Sequence, residues 1–179
     1  FTFASSADSV ATIASGGIQI VGAGSATITA TLGTTAATGA VTVIAAAPPA
    51  TAPPTPVVPA ADVIALFSNA YTSVPVTTWS ATWDDAEVAD ARLAGNDVKV
   101  YTSLSFAGVE FTTPTVDASA MTHFHMDVWA PQGILFKVKL VDFGANGIYD
   151  GGGDDREQEL AFTPGSVPPF TSGAWVGLE

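Results

Sequence analysis

The chain has no cysteine and only five basic residues in 179, and each shortage removes a class of function. Without thiols there is no disulfide, no thiolate nucleophile and no cysteine-held zinc or iron–sulfur site. Five Lys+Arg stand against 17 Asp+Glu, a formal charge of -12. Such a surface repels a phosphate backbone, which excludes nucleic acid as a partner, and it repels an anionic membrane equally. Long apolar runs are also missing. Although 47 % of residues are hydrophobic, Thr, Ser and Gly interrupt the Ala/Val stretches well short of the roughly 18 residues a membrane span needs. The expectation is a soluble chain with no membrane insertion. Catalytic signatures are equally scarce. There is no G-x-S-x-G, H-E-x-x-H, G-x-x-x-x-G-K-[ST] or G-x-G-x-x-G, and no marked pair of carboxylates across a cleft, so the chain reads as not an enzyme.

What is present is unevenly spread. Residues 1–46 hold one acid, Asp8, and no base, while residues 61–179 hold the other 16 acids and all five bases. Between them, residues 47–59 carry six prolines in 13 positions, a composition that favours an extended, semi-rigid polyproline II spacer. The predicted organisation is a first domain over 1–46, a Pro-rich linker over 47–60 and a second domain over 61–179.

The first domain alternates in short pieces. Ser9-Val10-Ala11-Thr12-Ile13, Ile18-Gln19-Ile20-Val21, Ala26-Thr27-Ile28-Thr29-Ala30-Thr31 and Gly39-Ala40-Val41-Thr42-Val43-Ile44 are separated by Gly pairs or Gly-rich turns, which predicts four strands. In the second domain Val98 to Tyr101, Leu104 to Phe111, Met121 to Trp129 and Ile134 to Val141 read as strands, with a further strand-like run at Asp62 to Phe67. A single helical turn capped by Asp117 is expected at Asp117 to Met121. Strands at this spacing with Gly/Pro turns predict an all-β chain, the second part a jelly-roll β-sandwich.

Three clusters carry possible chemistry. The stretch 142–159 places six carboxylates and Asn146 on a glycine-rich loop, the hard-oxygen donor set that calcium takes, although its spacing is not that of an EF-hand. The candidate ligands are Asp142, Asn146, Asp150, Asp154, Asp155 and Glu157; a solvated acidic turn is the competing reading. Trp79 and Trp83, four apart beside Asp84 and Asp85 and shortly after Tyr71, suit a sugar-stacking platform, because pyranose C–H faces pack on indole rings. Burial of the tryptophans in a sandwich core is the alternative. Trp129 ends a strand just before a Pro-Gln-Gly turn, where a loop-side site would lie. His123 and His125 alternate about Phe124, which predicts one strand face for both, either as bases or as hydrogen-bonded core residues.

The run Ser6-Ala7-Asp8-Ser9-Val10-Ala11-Thr12-Ile13 with Ile20-Val21-Gly22-Ala23-Gly24-Ser25-Ala26-Thr27-Ile28-Thr29-Ala30 resembles the C-terminal half of a bacterial immunoglobulin-like domain of group 2. Residues 1–46 would then be a partial Ig-like β-sandwich. Over 61–179, Ile64 to Tyr71, Trp79 to Trp83, Ala94 to Tyr101, Phe106 to Phe111, His123 to Trp129 and Phe136 to Gly144 resemble an ancillary β-sandwich module of secreted bacterial β-1,3-glucanases of the laminarinase type. That resemblance implies a secreted or cell-surface, non-catalytic module that binds a polysaccharide, holds a structural calcium and serves a catalytic domain in the same longer chain. It also implies a further strand beyond Glu179. The charge disfavours anionic glycans and points to a neutral β-glucan. Two alternatives are a surface-fibre or adhesin segment that self-associates through open β-edges, and a ligand-free spacer.

Overall fold

A computed structural model describes residues 1–149 and 153–179, and over these the chain is all-β: eleven strands, no α-helix and one short 3-10 turn at Ala60–Asp62. No helix among the described residues is long and apolar enough to cross a membrane. Two compact units divide it, Phe1–Pro48 and Pro49–Glu179.

The first unit contains β1 (Thr2–Ser5), β2 (Ala11–Ala14), β3 (Gly17–Ile20), β4 (Gly24–Leu32) and β5 (Thr35–Ala45). Strands β1, β4 and β5 form one antiparallel sheet, and β2 and β3 form a hairpin. The hairpin turns on Ser15 and Gly16, both at positive φ, as a two-residue type I′ turn requires. Ala26 lies opposite Val43 and Ile28 opposite Val41, so the four share a face. On that face Ala26 and Ile28 are buried with Val10 and Ala11. Val41, and Phe3 on the same face opposite Ala30, remain 55 % and 53 % exposed. The second layer therefore covers only part of the sheet.

The second unit is built from three antiparallel pairs: β6 (Asp85–Leu93) with β7 (Asn96–Phe106), β8 (Met126–Trp129) with β11 (Trp175–Leu178), and β9 (Phe136–Asp142) with β10 (Arg156–Phe162). Register sorts their side chains. Val128 opposes Val176 and Met126 opposes Leu178, while Phe136 opposes Phe162 and Val138 opposes Leu160. These residues meet around Phe162, Phe170 and Leu178, the buried centre of the unit. Phe170 arrives from the loop after β10, which Ser166 folds by donating to the carbonyls of Thr163 and Pro168, each at 2.8 Å.

Several elements differ from the sequence-based expectation. The run 62–67 finds no strand partner beyond a single bridge from Ala65 to Ser73. The strand expected over 104–111 ends at Phe106, and the one expected from Met121 starts only at Met126, so His123 and His125 precede the strand. Asp117 makes a local turn instead of a helix cap, its Oδ1 accepting from Ser119 N at 2.9 Å. The Pro-rich run belongs from Pro49 onward to the second unit. Its unpaired carbonyls find donors there: Thr51 O accepts from Trp175 Nε1 at 2.8 Å and Val58 O from Tyr71 Oη at 2.7 Å.

Phe170 is 2 % exposed and joins the β8/β11 and β9/β10 pairs of the second unit. Phe170→Ala is expected to cost about 3–5 kcal/mol, read as a lower urea midpoint for the second unit.

Candidate functional site

Residues 77–81 and 108–110 pair in an antiparallel bridge, with Glu110 N donating to Thr78 O at 3.0 Å and Ala81 N to Gly108 O at 3.0 Å. Asp84 locks its end. Its Oδ1 accepts from Ser80 Oγ at 3.0 Å, and its Oδ2 from Ala81 N at 3.1 Å and Gly108 N at 2.9 Å. Asp84, which the sequence shows only as an acid beside the two tryptophans, is thus half-buried and holds two backbone segments together. Tyr101, beside it, has its hydroxyl pKa raised, first by burial and then by the Asp84 charge.

Trp83 projects from this corner. One side of its indole stacks on Phe106, with centroids 6.3 Å apart and planes 20° apart. Its Nε1 donates to Glu110 Oε1 at 3.0 Å. The six-membered ring lies over Gly108, where a Cβ would come within 2.5 Å of Cη2, so only glycine leaves room for the ring. The residue is nevertheless 61 % exposed. An apolar ring surface is thereby fixed in orientation, open to solvent, and flanked by a carboxylate.

Trp79 has different neighbours. It is half-buried, edge-on to Phe67 at 5.5 Å and 71°, and Lys99 Nζ lies 4.9 Å from its ring centre and 5.1 Å from that of Phe67. A cation over the ring is a packing arrangement that shields it from a sugar. Tyr71 is half-buried with its hydroxyl committed to Val58 O. Trp129 is half-buried on β8, opposite Trp175. Of the predicted stacking residues, Trp83 alone is exposed; Phe106, Gly108 and Glu110, which set its pose, read from sequence only as part of a strand. The Phe-x-Gly-x-Glu spacing after β7 was the available signal.

The acidic loop joins β9 to β10. Asp142 Oδ1 accepts from Gly144 N at 2.9 Å, Asp154 Oδ2 from Ala145 N at 2.6 Å and Asn146 N at 3.2 Å, and Asn146 Oδ1 from Ile148 N at 2.7 Å. Backbone N–H groups, its own first and then that of Asn146, hold the Asp154 carboxyl below its usual pKa. Glu157 is on β10 and pairs with Lys139 at 3.0 Å, Asp155 precedes that strand, and Asp150 lies outside the described residues. Among the described residues no three Asp, Glu or His side chains converge as metal ligands.

Comparison with protein families, curated proteins and solved structures found no match. The chemistry open to this chain is therefore read from its own residues. His123 Nδ1 is within 2.8 Å of Thr122 Oγ1, and His125 Nε2 is 3.7 Å from Asp127 Oδ1. Neither histidine lies beside Trp83 in any contact described. Stacking and hydroxyl recognition are what the Trp83 corner offers.

On the outer face of β9 and β10, Lys137 pairs with Glu159 at 2.7 Å, and Lys139 with Glu157. Hydrogen bonds from these lysines lower the pKa of both glutamates from the ordinary 4.5. A lowered folded pKa stabilises above the unfolded value and is lost as pH falls through the folded value. Asp127 acts in the opposite sense, because burial raises its pKa against a weaker pull from His125. Acidification below about pH 4.5 should accordingly lower the urea midpoint of the second unit. Glu157→Gln with Glu159→Gln should flatten that dependence, and salt should weaken it.

Proposed function

We propose that this chain is a non-catalytic carbohydrate-binding segment of a secreted bacterial polysaccharide-degrading enzyme, and that Trp83 stacks on a neutral β-glucan. The observation that carries the reading is Trp83 itself, 61 % exposed yet held by Phe106, Gly108 and Glu110. Holding a large ring in its bound pose before ligand arrives removes the ordering cost of binding. The Glu110 carboxylate at the indole edge supplies an acceptor for sugar hydroxyls. In this reading residues 1–46 are a partial Ig-like unit and 61–179 a jelly-roll module. A structural calcium is assigned to the loop of Asp142, Asn146, Asp150, Asp154, Asp155 and Glu157, whose oxygen donors have the chemistry that ion takes.

Native affinity electrophoresis on gels containing a β-1,3-glucan, a β-1,4-glucan or no glycan, with calcium and with chelator, tests the reading. Retardation on one glucan is expected. Trp83→Ala should abolish it with the fold intact, and Gly108→Ala, which displaces the ring without removing it, should weaken it at least severalfold. A parent chain that migrates alike on all gels overturns the reading.

A second reading, self-association through open edges, is favoured by the uncovered face of the first unit. Phe3 and Val41 are exposed there, and Ile18 and Ile20 of β3 are 44 % and 55 % exposed. With one acid and no base in residues 1–46, charge does not oppose contact between copies. Sedimentation velocity should then show concentration-dependent dimers or larger species, which Val41→Lys removes.

A further inference from the structure

Successive residues of a strand face opposite ways, so burying Val128 on β8 and Val176 and Leu178 on β11 turns Trp129 and Trp175 to the outer face of that sheet. They oppose each other in register, which brings two indoles side by side away from the core. Both are nevertheless only half-exposed. The cover comes from the Pro-rich run: Pro49, Thr51, Ala52 and Pro54 line an open cleft of about 460 Å³ together with Trp129 and Trp175.

The contact has the chemistry of polyproline recognition. Residues 46–59 adopt neither strand nor helix, with bends at Ala50, Thr51 and Val58. A Pro-rich run outside strand and helix has no ladder partners for its carbonyls, which a neighbouring donor can then take. Trp175 Nε1 donates to one of them, Thr51 O, and Tyr71 Oη to another, Val58 O. Aromatic rings flanking proline rings, with a ring-borne donor on a backbone carbonyl, are how proline-rich segments are held in aromatic grooves. Trp83, the other exposed candidate, spends its N–H on Glu110 and has no proline against it in any contact described.

We propose that the Trp129/Trp175 cleft is a polyproline-binding site whose occupant is the chain's own segment 49–54. The segment is a docked strap, and a proline-rich peptide of the same chemistry competes with it for the two indoles. This site is separate from the Trp83 corner and does not depend on sugar binding there.

The test uses the full chain with 15N-labelled tryptophan and a free peptide spanning residues 47–59. In cis the strap acts at an effective concentration of about millimolar, so the unsubstituted chain should show Trp175 and Trp129 indole shifts only at several millimolar peptide. Loosening the strap by Pro49→Gly, Pro53→Gly and Pro54→Gly together should tighten peptide binding at least tenfold, and adding Trp175→Phe should reverse most of that gain. The Trp83 indole should not shift, and a peptide with its prolines replaced by glycine should not bind. Equal affinity for the loosened and unsubstituted chains overturns the proposal, as does binding indifferent to Trp175→Phe. Should the loosened chain fail to fold, the unsubstituted chain decides alone: an unmoved Trp175 indole at several millimolar peptide refutes the site.

Discussion

The two-residue period of a strand is the constraint on which the second unit rests. Its core is small, centred on Phe162, Phe170 and Leu178, and apart from Phe170, which comes from the loop after β10, and Ala130 just past β8, it is reached from alternate positions of β8, β9, β10 and β11. Each inward residue commits its neighbour outward. Inward Phe136 and Val138 put Lys137 and Lys139 on the outer face, where β10 answers with Glu157 and Glu159. Inward Val176 and Leu178 put Trp175 outside, where the Pro-rich run lines the cleft beside it and Thr51 O takes its N–H. The charge pairs and the aromatic cleft are both consequences of packing that small core.

Charge is used locally throughout. Arg92 pairs with Asp97, Lys99 with Asp90, and Lys137 and Lys139 with the two glutamates of β10, while Arg156 donates to the Asp155 carbonyl. Every basic residue of the chain is thus engaged within the chain, and a net charge of -12 remains. An anionic ligand would face that net negative charge, whereas a neutral sugar or a proline-rich backbone brings no charge to oppose. Exposed pairs of this kind add little stability each. The effect of the four lysine and arginine pairs with carboxylates is on register, since each of those spans two strands.

Much of the strand content was legible because alternation is local. The runs at Ala26 to Thr31, Val41 to Ile44 and Val98 to Tyr101 fall on strands, and that at Ile134 to Val141 does so from Phe136 onward. Strands β6 and β10 were not legible. Their Asp90, Arg92, Glu157 and Glu159 break the apolar pattern, and each is accommodated by a partner on another strand. The converse failure is the run 62–67, strand-like in composition but left with one bridge, because a strand exists only where a partner lies alongside it.

By itself the sequence determined the all-β character, the contrast between an almost uncharged first part and an acidic second part, and the presence of an extended Pro-rich run, since period, composition and the fixed φ of proline are local properties. Only the tertiary structure decided which tryptophan faces solvent, that Asp84 is a clamp instead of a surface charge, and that the Pro-rich run lies against Trp129 and Trp175. Those outcomes depend on residues brought together from distant positions, Trp83 with Glu110 and Thr51 with Trp175, and no local pattern encodes such a meeting.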